Sequence, residues 1–254
     1  MKKVLVIVPF PMSEDNRAKR RAQSDAVELG PDIRFDFRSV KAAPKNYVSA
    51  SDLALADIGM LEAGLDAQAE GYDAVCIDTV SDSGVAALRS ELTIPVIGPG
   101  RVAMLTAMML GNRFSIVTMW EHWRHLYTKT LGDLRLEAAC ASIRSLDIAP
   151  DNISLMNGKE DEIFPALAAL AKRCVEEDRA EVILLGSTTM HQAHAYLAER
   201  LPVPVINPGP LSYKIAESLL GLGLSHSRAA YPRSPVPRGD MIHAMLDSVA
   251  DYEH

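Results

Sequence analysis

An internal repeat divides this chain of 254 residues into two similar halves. Three pairs of segments match in the same order at offsets of 108 to 110 residues: Val6–Val8 with Ile116–Thr118, Ala74–Thr79 with Val182–Ser187, and Pro95–Gly100 with Pro204–Gly209. Each copy alternates continuous apolar strands with helical patterns, which is typical of parallel sheets covered on both faces. We therefore predict an α/β fold of two pseudo-symmetric lobes with parallel sheets and an active-site cleft between them.

Helical and strand patterns alternate along both halves. The first predicted helix begins after Ser13 and ends near Gly30, and the last begins after Arg238. Between them, helices are predicted at 51–70, 83–92, 101–110, 121–131, 160–176, 190–200 and 211–221. Strands are predicted up to Val8 and at 33–37, 74–79, 95–97, 114–118, 139–146, 182–186 and 204–206. Because the C-terminal helices follow the second copy and can return to the first, the predicted lobes are residues 1–98 plus 208–254 and residues 99–207.

Composition narrows the class of protein. A net charge of −7 without a basic cluster argues against a nucleic-acid partner. The basic and then apolar start is short and stops at Pro9, which favours a strand over a leader, and no run of apolar residues is long enough to span a membrane. The three widely spaced cysteines, Cys76, Cys140 and Cys174, fit a reducing compartment and a cytoplasmic protein better than a disulfide framework or a zinc site.

Two hydroxyl residues, Thr79 and Ser187, end the matched strands of the two copies. Ligands of open α/β sheets bind beyond the carboxyl ends of the strands, so both are candidate catalytic residues. Backbone N–H groups at such strand-to-helix turns favour an anionic oxygen, which suits a carboxylate or an enolate. The neighbouring candidates for substrate binding are Val80, Ser81, Thr188 and Thr189.

His191 is the candidate acid or base, because histidine is the usual proton-transfer group near neutral pH. The alternative is a solvated residue of a first helical turn. His194 completes a His-x-x-His pattern that lacks a third ligand, so no metal site is predicted. Asp82 fits a helix cap as well as a base, and Asp78 is expected to point to the opposite side of the strand from Thr79.

Aromatic residues follow the first strand of each copy. Trp120 and Trp123, the two tryptophans of the chain, come shortly after Thr118, and Phe10 stands at the corresponding place in the first copy. An apolar wall or lid for a substrate is one interpretation, and ordinary packing is the other. Phe10, Thr118 and Trp123 are therefore candidate substrate-binding residues.

Several segments carry a family resemblance: Val75–Thr79 leading to Asp82–Gly84, Arg113–Thr118, Ala141–Arg144, Leu184–Ser187, and the tail Ala216–Leu224 with Ser227–Arg228 and Tyr231–Pro232. In these segments the chain resembles the aspartate/glutamate/hydantoin racemase superfamily, and its tail is most similar to the hydantoin and allantoin racemase branch. The resemblance covers almost the whole chain. It implies two Rossmann-like lobes with the active site between them, no metal, no organic cofactor and a homo-oligomer.

The chain departs from this superfamily at the two positions that matter most for its chemistry. The resembling racemases place one cysteine after each of the two strands, and this pair exchanges protons with the α-carbon of the substrate. Thr79 and Ser187 occupy those positions here. A thiol has a reference pKa of about 8.5, whereas an alcohol ionises far above that and needs an adjacent base. The sequence therefore predicts a noncysteine active site, with Cys76 as a buried thiol of the strand.

Three functions fit these observations. The first is a racemase-like isomerase, decarboxylase or lyase that acts without a cofactor at an acidic carbon beside a carbonyl, in a small carboxylate or a hydantoin-like compound. The second is a hydrolase of a cyclic amide or imide with Ser187 or Thr79 as nucleophile, although a Gly-x-Ser-x-Gly elbow is lacking. The third is a catalytically silent protein that binds a small molecule.

Overall fold

The computed structural model describes residues 1–149 and 160–249. It divides into two compact units, Met1–Gly98 together with the chain from Ser212 onward, and Pro99–Leu211. The strands are β1 Lys2–Val8, β2 Ile33–Ser39, β3 Ala74–Ile77, β4 Val96–Ile97, β5 Phe114–Thr118, β6 Cys140–Ser145, β7 Val182–Leu185 and β8 Val205–Ile206. The α-helices are α1 Glu14–Arg21, α2 Ala50–Gly64, α3 Val85–Glu91, α4 Pro99–Leu110, α5 Arg124–Leu134, α6 Glu160–Glu176, α7 Ala193–Ala198, α8 Pro208–Leu222 and α9 Gly239–Val249.

Each unit is built on a parallel sheet of four strands among the described residues. The strand order is β2-β1-β3-β4 in the first unit and β6-β5-β7-β8 in the second. The strand registers reproduce the sequence repeat, since Val4 pairs with Ala74 as Phe114 pairs with Val182. The predicted fold class of two parallel sheets with helices is confirmed.

Continuous apolar strands explain why both sheets are buried. Helices cover the faces of a parallel sheet, so its strands need apolar side chains in both directions. In the first unit the core cluster contains Leu5, Ile7, Met60, Val75 and Leu88. In the second unit it contains Val117, Leu167, Ile183, Leu185 and Leu197. These cores hold the ends of the central strands in place, and the candidate residues follow those ends.

Two helices begin earlier than the sequence analysis predicted. The helices expected from Arg101 and from Leu211 start at Pro99 and Pro208. Proline suits the first helical position, because the N–H group that it lacks has no partner within a helix at that place. The prolines therefore begin these helices directly after β4 and β8 instead of separating them from the strands.

The segment that follows β7 also differs from its prediction. One helix was expected over residues 190–200, but a 3₁₀ turn covers Thr188–Met190 and the short helix α7 covers Ala193–Ala198. The Ser187 hydroxyl accepts a hydrogen bond from the Thr189 N–H, which favours a tight turn over a regular helix start. None of the described helices is long and apolar enough to cross a membrane.

Candidate active site

Two equivalent turns follow the third strand of each sheet. The Asp78 N–H still donates to the carbonyl of Ile7 in β1 at 2.9 Å, and the Gly186 N–H donates to that of Val117 in β5 at 2.8 Å. These are the last ladder bonds on β3 and β7, so the next residue in each unit is the first to leave the sheet. We call the segment Thr79–Asp82 the first turn and Ser187–Met190 the second turn.

The two turns close in the same way. The carbonyl of Thr79 accepts from the N–H of Asp82 at 3.2 Å, and the carbonyl of Ser187 accepts from the N–H of Met190 at 3.2 Å. Thr79 and Ser187 are both half-buried, so neither hydroxyl residue is fully enclosed. The repeat therefore extends beyond the strands into the backbone of the candidate site.

Each turn carries a matched pair of hydroxyls. Thr79 Oγ1 lies 3.1 Å from Ser81 Oγ, and Ser187 Oγ lies 2.7 Å from Thr189 Oγ1. The buried Ser83 extends the first pair, with its Oγ 2.9 Å from that of Ser81. A chain of hydroxyls has one more hydrogen than it has internal bonds. Among these described contacts, each chain thus retains one O–H that can donate to an outside acceptor.

Tyr127 supports the second turn through the residue that precedes it, Gly186. The Tyr127 hydroxyl donates to the carbonyl of Gly186 at 2.8 Å and lies 2.7 Å from Thr118 Oγ1. Burial raises the pKa of Tyr127, so this phenol remains a donor. Thr118 is fully buried, and its hydroxyl contacts the second turn through Tyr127.

His191 follows the second turn and is half-buried. Its carbonyl accepts from the His194 N–H at 3.3 Å and from Asn207 Nδ2 at 3.2 Å. The His194 ring lies with Nε2 at 3.0 Å from the carbonyl of Val205 in β8. His194 therefore fastens this segment to the sheet, and the described residues contain no cluster of three or more metal-ligating side chains.

Asp78 takes part in a buried ion pair on the first unit. Its carboxylate lies 3.4 Å from the Arg20 guanidinium and accepts from Gln23 Nε2 at 3.3 Å. The side chains of Asp78 and Arg20 are 0% and 6% exposed. This carboxylate serves the packing of α1 and the 3₁₀ turn after it onto β3, and we assign it no part in catalysis.

Asp82 is not the cap of α3. The N-cap of that helix is Gly84, with φ of +77°, and it makes no side-chain capping bond. Asp82 has a left-handed φ of +54°, and its carboxyl carbon lies 2.5 Å from where a Cβ at Gly98 would be. The carboxylate thus occupies space that only a glycine at position 98 leaves open.

The remaining candidate substrate-binding residues differ in burial and in their packing contacts. Val80 and Thr188 are buried, and Ser81 is also buried, whereas Thr189 is half-buried. The Phe10 ring packs on Tyr47 with centroids 5.4 Å apart. The ring centroids of the two tryptophans lie 6.2 Å apart in an edge-to-face arrangement, and the buried Trp123 indole N–H has no hydrogen-bond partner in the described part of the chain.

The cysteines have the properties of unreactive thiols. Cys76 and Cys174 are buried and Cys140 is half-buried, and all three are free. Burial raises the pKa of Cys140 to about 11 and also raises the pKa of Cys76 and Cys174. A thiol in such surroundings stays protonated at neutral pH and is a poor base.

Three residues that contact the candidate residues or their neighbours were missed by the sequence analysis: Arg20, Tyr127 and Asn207. Nothing in the local sequence of Arg20 or Tyr127 indicates which strand end it reaches. For Asn207 a signal existed, since Pro-Val-Ile-Gly-Pro-Gly and Pro-Val-Ile-Asn-Pro-Gly differ only at this position.

Comparison with known proteins yields a family match over most of the chain. The family model for Asp/Glu/Hydantoin racemase matches residues 17–216. A hydantoin racemase from Rhizobium meliloti is 30% identical over 211 residues, which are 79% of this chain and 83% of that protein. An allantoin racemase structure from Klebsiella pneumoniae superposes with a TM-score of 0.84 at 27% identity, covering 93% of this chain and 95% of that one. Arylmalonate decarboxylase shares the fold, with a TM-score of 0.60 at 20% identity over 90% of this chain and 96% of that one.

Proposed function

Because the chain belongs to the Asp/Glu/hydantoin racemase family, we propose that it moves a proton at an acidic carbon beside a carbonyl, without a cofactor and without a thiol. The substrate class is a hydantoin-like ring or a small carboxylate. The reaction is an isomerisation or a decarboxylation that passes through an enolate.

The observation that carries this proposal is the matched hydroxyl pair of the two turns. The pair Thr79 with Ser81 and the pair Ser187 with Thr189 stand at equivalent places, since each pair begins two residues beyond the end of its strand, β3 or β7. Each pair retains a hydroxyl hydrogen for an outside acceptor. An enolate oxygen is such an acceptor, and donors that are already oriented stabilise it without reorganisation.

Proton transfer requires a group other than these alcohols. We assign proton transfer to His191, whose carbonyl accepts from Asn207, directly after β8, and from His194 of α7, and whose side chain is half-buried. As a base, its neutral imidazole takes the proton from the carbon, and the electron pair moves to the carbonyl oxygen. The imidazolium then returns the proton to the same carbon, and isomerisation results when the planar enolate has turned over in the site, so that the proton arrives on the opposite face.

Proton NMR in deuterated water tests the proposal. The panel contains 5-substituted hydantoins, allantoin, aspartate, maleate and arylmalonates, and we expect loss of the α-proton signal or of the starting compound with at least one of them. Ser187→Ala and Thr79→Val each remove one donor and should lower the rate about 100-fold. His191→Gln should lower it at least about 100-fold.

Ser218→Ala is the matched control, because the hydroxyl of this exposed serine of α8 donates to the Lys214 carbonyl in its own helix. Its rate should equal that of the unchanged protein. Unchanged spectra with every compound would contradict proton transfer at carbon. Ring opening without deuterium incorporation would instead indicate the hydrolase alternative, and saturable binding without turnover would indicate a silent binding protein.

A further inference from the structure

Two hydrogen bonds join the end of β8 and the residue after it to the residues that follow the second turn. Asn207 Nδ2 donates to the His191 carbonyl at 3.2 Å, and the His194 ring contacts the Val205 carbonyl at 3.0 Å. The His191 carbonyl also accepts the His194 N–H at 3.3 Å, so both of its lone pairs are engaged. The peptide plane that follows His191 therefore has a fixed orientation.

The first unit shows that the fold does not itself need an amide at this position. The hexapeptides Pro95–Gly100 and Pro204–Gly209 are identical except that Gly98 stands where the second copy has Asn207. Both hexapeptides end a short strand and begin a long helix, α4 or α8. In the first unit the space beside residue 98 holds the Asp82 carboxyl group. The amide is thus a specific feature of the half that carries His191.

The burial of Asn207 at this position is energetically unfavourable. Asn207 is only 7% exposed, and its Oδ1 is buried with no hydrogen-bond partner among the residues that the structure describes. A buried acceptor that lacks a partner costs free energy, and such groups in native proteins call for an explanation. An apolar side chain of the same shape avoids this cost but cannot donate to the His191 carbonyl.

We infer that Asn207 is a positioning residue for His191, and that it is retained for the hydrogen bond of its Nδ2 rather than for stability. The inference rests on the proposed role of His191 as the acid and base. Asn207 acts on the backbone of His191, which sets the direction of the imidazole toward its reaction partner. The loss of this bond should therefore lower kcat and leave KM nearly unchanged.

Two substitutions separate the donor from the rest of the side chain. Asn207→Leu keeps the shape and removes both polar atoms, and Asn207→Asp keeps the acceptor and replaces the donor. We expect Asn207→Leu to lower kcat about 10-fold or more while its Tm is equal to or above that of the unchanged protein. In Asn207→Asp the introduced carboxyl donates only when it is protonated, so its kcat, taken as a fraction of the kcat of the unchanged protein at the same pH, should rise as the pH falls. Asn207→Leu should show no such recovery.

Gln192→Ala is the control, because this exposed residue lies directly beside His191 in sequence and should leave kcat, KM and Tm unchanged. A fall of Tm and kcat together in Asn207→Leu would overturn the inference and make Asn207 a structural residue. Unchanged kcat in both variants would also overturn it.

A second measurement does not depend on turnover. The imidazole signals of His191, assigned with His191→Gln, should shift in NMR spectra of Asn207→Leu, while those of His226 in the first unit stay in place. If no substrate undergoes exchange but this shift is present, the proposed function fails and the positioning contact stands. If exchange occurs and the His191 signals do not move, the positioning inference fails alone.

Discussion

At the scale of single residues, position 186 shows how a missing side chain shapes the second turn. A Cβ on Gly186 would lie 2.7 Å from the Tyr127 hydroxyl and 2.9 Å from the Thr118 Cβ. The phenol that supports this turn thus occupies the space that any larger residue would need. We predict that Gly186→Ala destabilises the protein by about 1–3 kcal/mol through overpacking. Urea denaturation measures this difference.

Gly221→Ala is the comparison for that experiment. Gly221 lies in α8, its φ is not positive, and apart from its chain neighbours and the backbone of its own helix no atom of the described residues lies within 4 Å of the place where its Cβ would be. Alanine should be neutral there or stabilise the helix by up to about 1 kcal/mol. Equal stability of the two variants would contradict the role of Tyr127 in holding the second turn.

The hydroxyl residues permit a direct test of why thiols are absent. Thr79 and Ser187 are half-buried, unlike the enclosed Cys76. We predict that Thr79→Cys combined with Ser187→Cys raises the rate of hydantoin α-proton exchange at least about 10-fold, because a solvated thiol ionises near pH 8.5 and an alcohol does not. The rate of the double variant should rise with pH across that range. Absence of any gain would show that the surrounding side chains no longer suit thiol chemistry.

The sequence allowed the candidate residues at the strand ends to be predicted, but not the side chains that support them. Those supporting side chains lie far along the chain from the residues that they contact. Thr79 and Ser187 follow from strand ends, which the repeat marks clearly. The partners that support them come from elsewhere, with Tyr127 59 positions before Gly186 and Asn207 16 positions after His191. Such contacts depend on how helices pack onto a sheet, and no local pattern encodes that packing. Whether the predicted site residues act in catalysis remains a prediction.

At the scale of elements, an ionic chain fastens α9 to α2. His243 Nδ1 bonds to Glu62 Oε1 at 2.9 Å, its Nε2 lies 2.9 Å from Asp66 Oδ2, and Lys41 bridges Glu62 and Asp247 at 2.7 and 2.6 Å. Glu62 is buried, and the Lys41 ammonium and the His243 ring both contact its Oε1. The hydrogen bond to Glu62 is the main cause that raises the pKa of His243.

This contact makes the attachment of α9 dependent on pH. A raised pKa in the folded state means that the stabilisation is complete below the unfolded value of about 6.5 and is lost as the pH rises through the folded value. We predict that amide hydrogen exchange in α9, corrected for its intrinsic pH dependence, becomes faster from pH 6 to pH 9. His243→Gln should remove this pH dependence, and His122→Gln, at an exposed position of the second unit, should preserve it. Identical profiles for all three proteins would contradict the prediction.

The tail between α8 and α9 forms a second attachment, at the end of α3. The Arg228 guanidinium donates to the carbonyls of Arg89, Ser90 and Leu92 at 2.6 to 2.8 Å. The planar guanidinium group of arginine can donate hydrogen bonds to several helix-end carbonyls at once, whereas the ammonium group of lysine cannot match this geometry. We predict that Arg228→Lys destabilises the protein by about 1 kcal/mol or more and speeds hydrogen exchange in α3. Arg233→Lys is the control, since Arg233 is exposed and makes a looser contact of 3.8 Å with Glu91.

Elements were easier to predict than their ends. Strands and long helices have periodic patterns of many residues, so the helix at 160–176 was predicted with the observed bounds. The helix predicted over 51–70 ends at Gly64 instead, and irregular turns cover the residues up to Gly71. Alanine and leucine favour a helix there, but local propensity is weaker than the tertiary contacts that bring the chain back to β3.

At the scale of the whole molecule, the first unit is assembled from both ends of the chain. Helix α8 begins directly after β8, yet from Ser212 onward it belongs to the unit that contains β1. Within that unit Glu217 accepts from the Gly30 N–H at 2.6 Å, and Lys214 donates to the Glu28 carbonyl at 2.9 Å. The second unit is one continuous segment of the chain. Folding of the first unit therefore requires contacts between the two ends of the chain, whereas folding of the second unit does not.

This difference predicts that loss of α9 affects the two sheets unequally. Leu246 of α9 is buried, and a Cβ at Gly239, the first residue of α9, would lie 3.2 Å from Leu65 Cδ2. A chain that ends at Arg238 exposes this apolar surface of the first unit only, so amide exchange should become faster in β1 to β4 while β5 to β8 keep their protection. Leu246→Ala should produce the same pattern in milder form, with a cost of about 2–5 kcal/mol to the first unit. Equal loss of protection in both sheets would mean that the units unfold as one cooperative body, and the pattern of the repeat would then describe their architecture but not their stability.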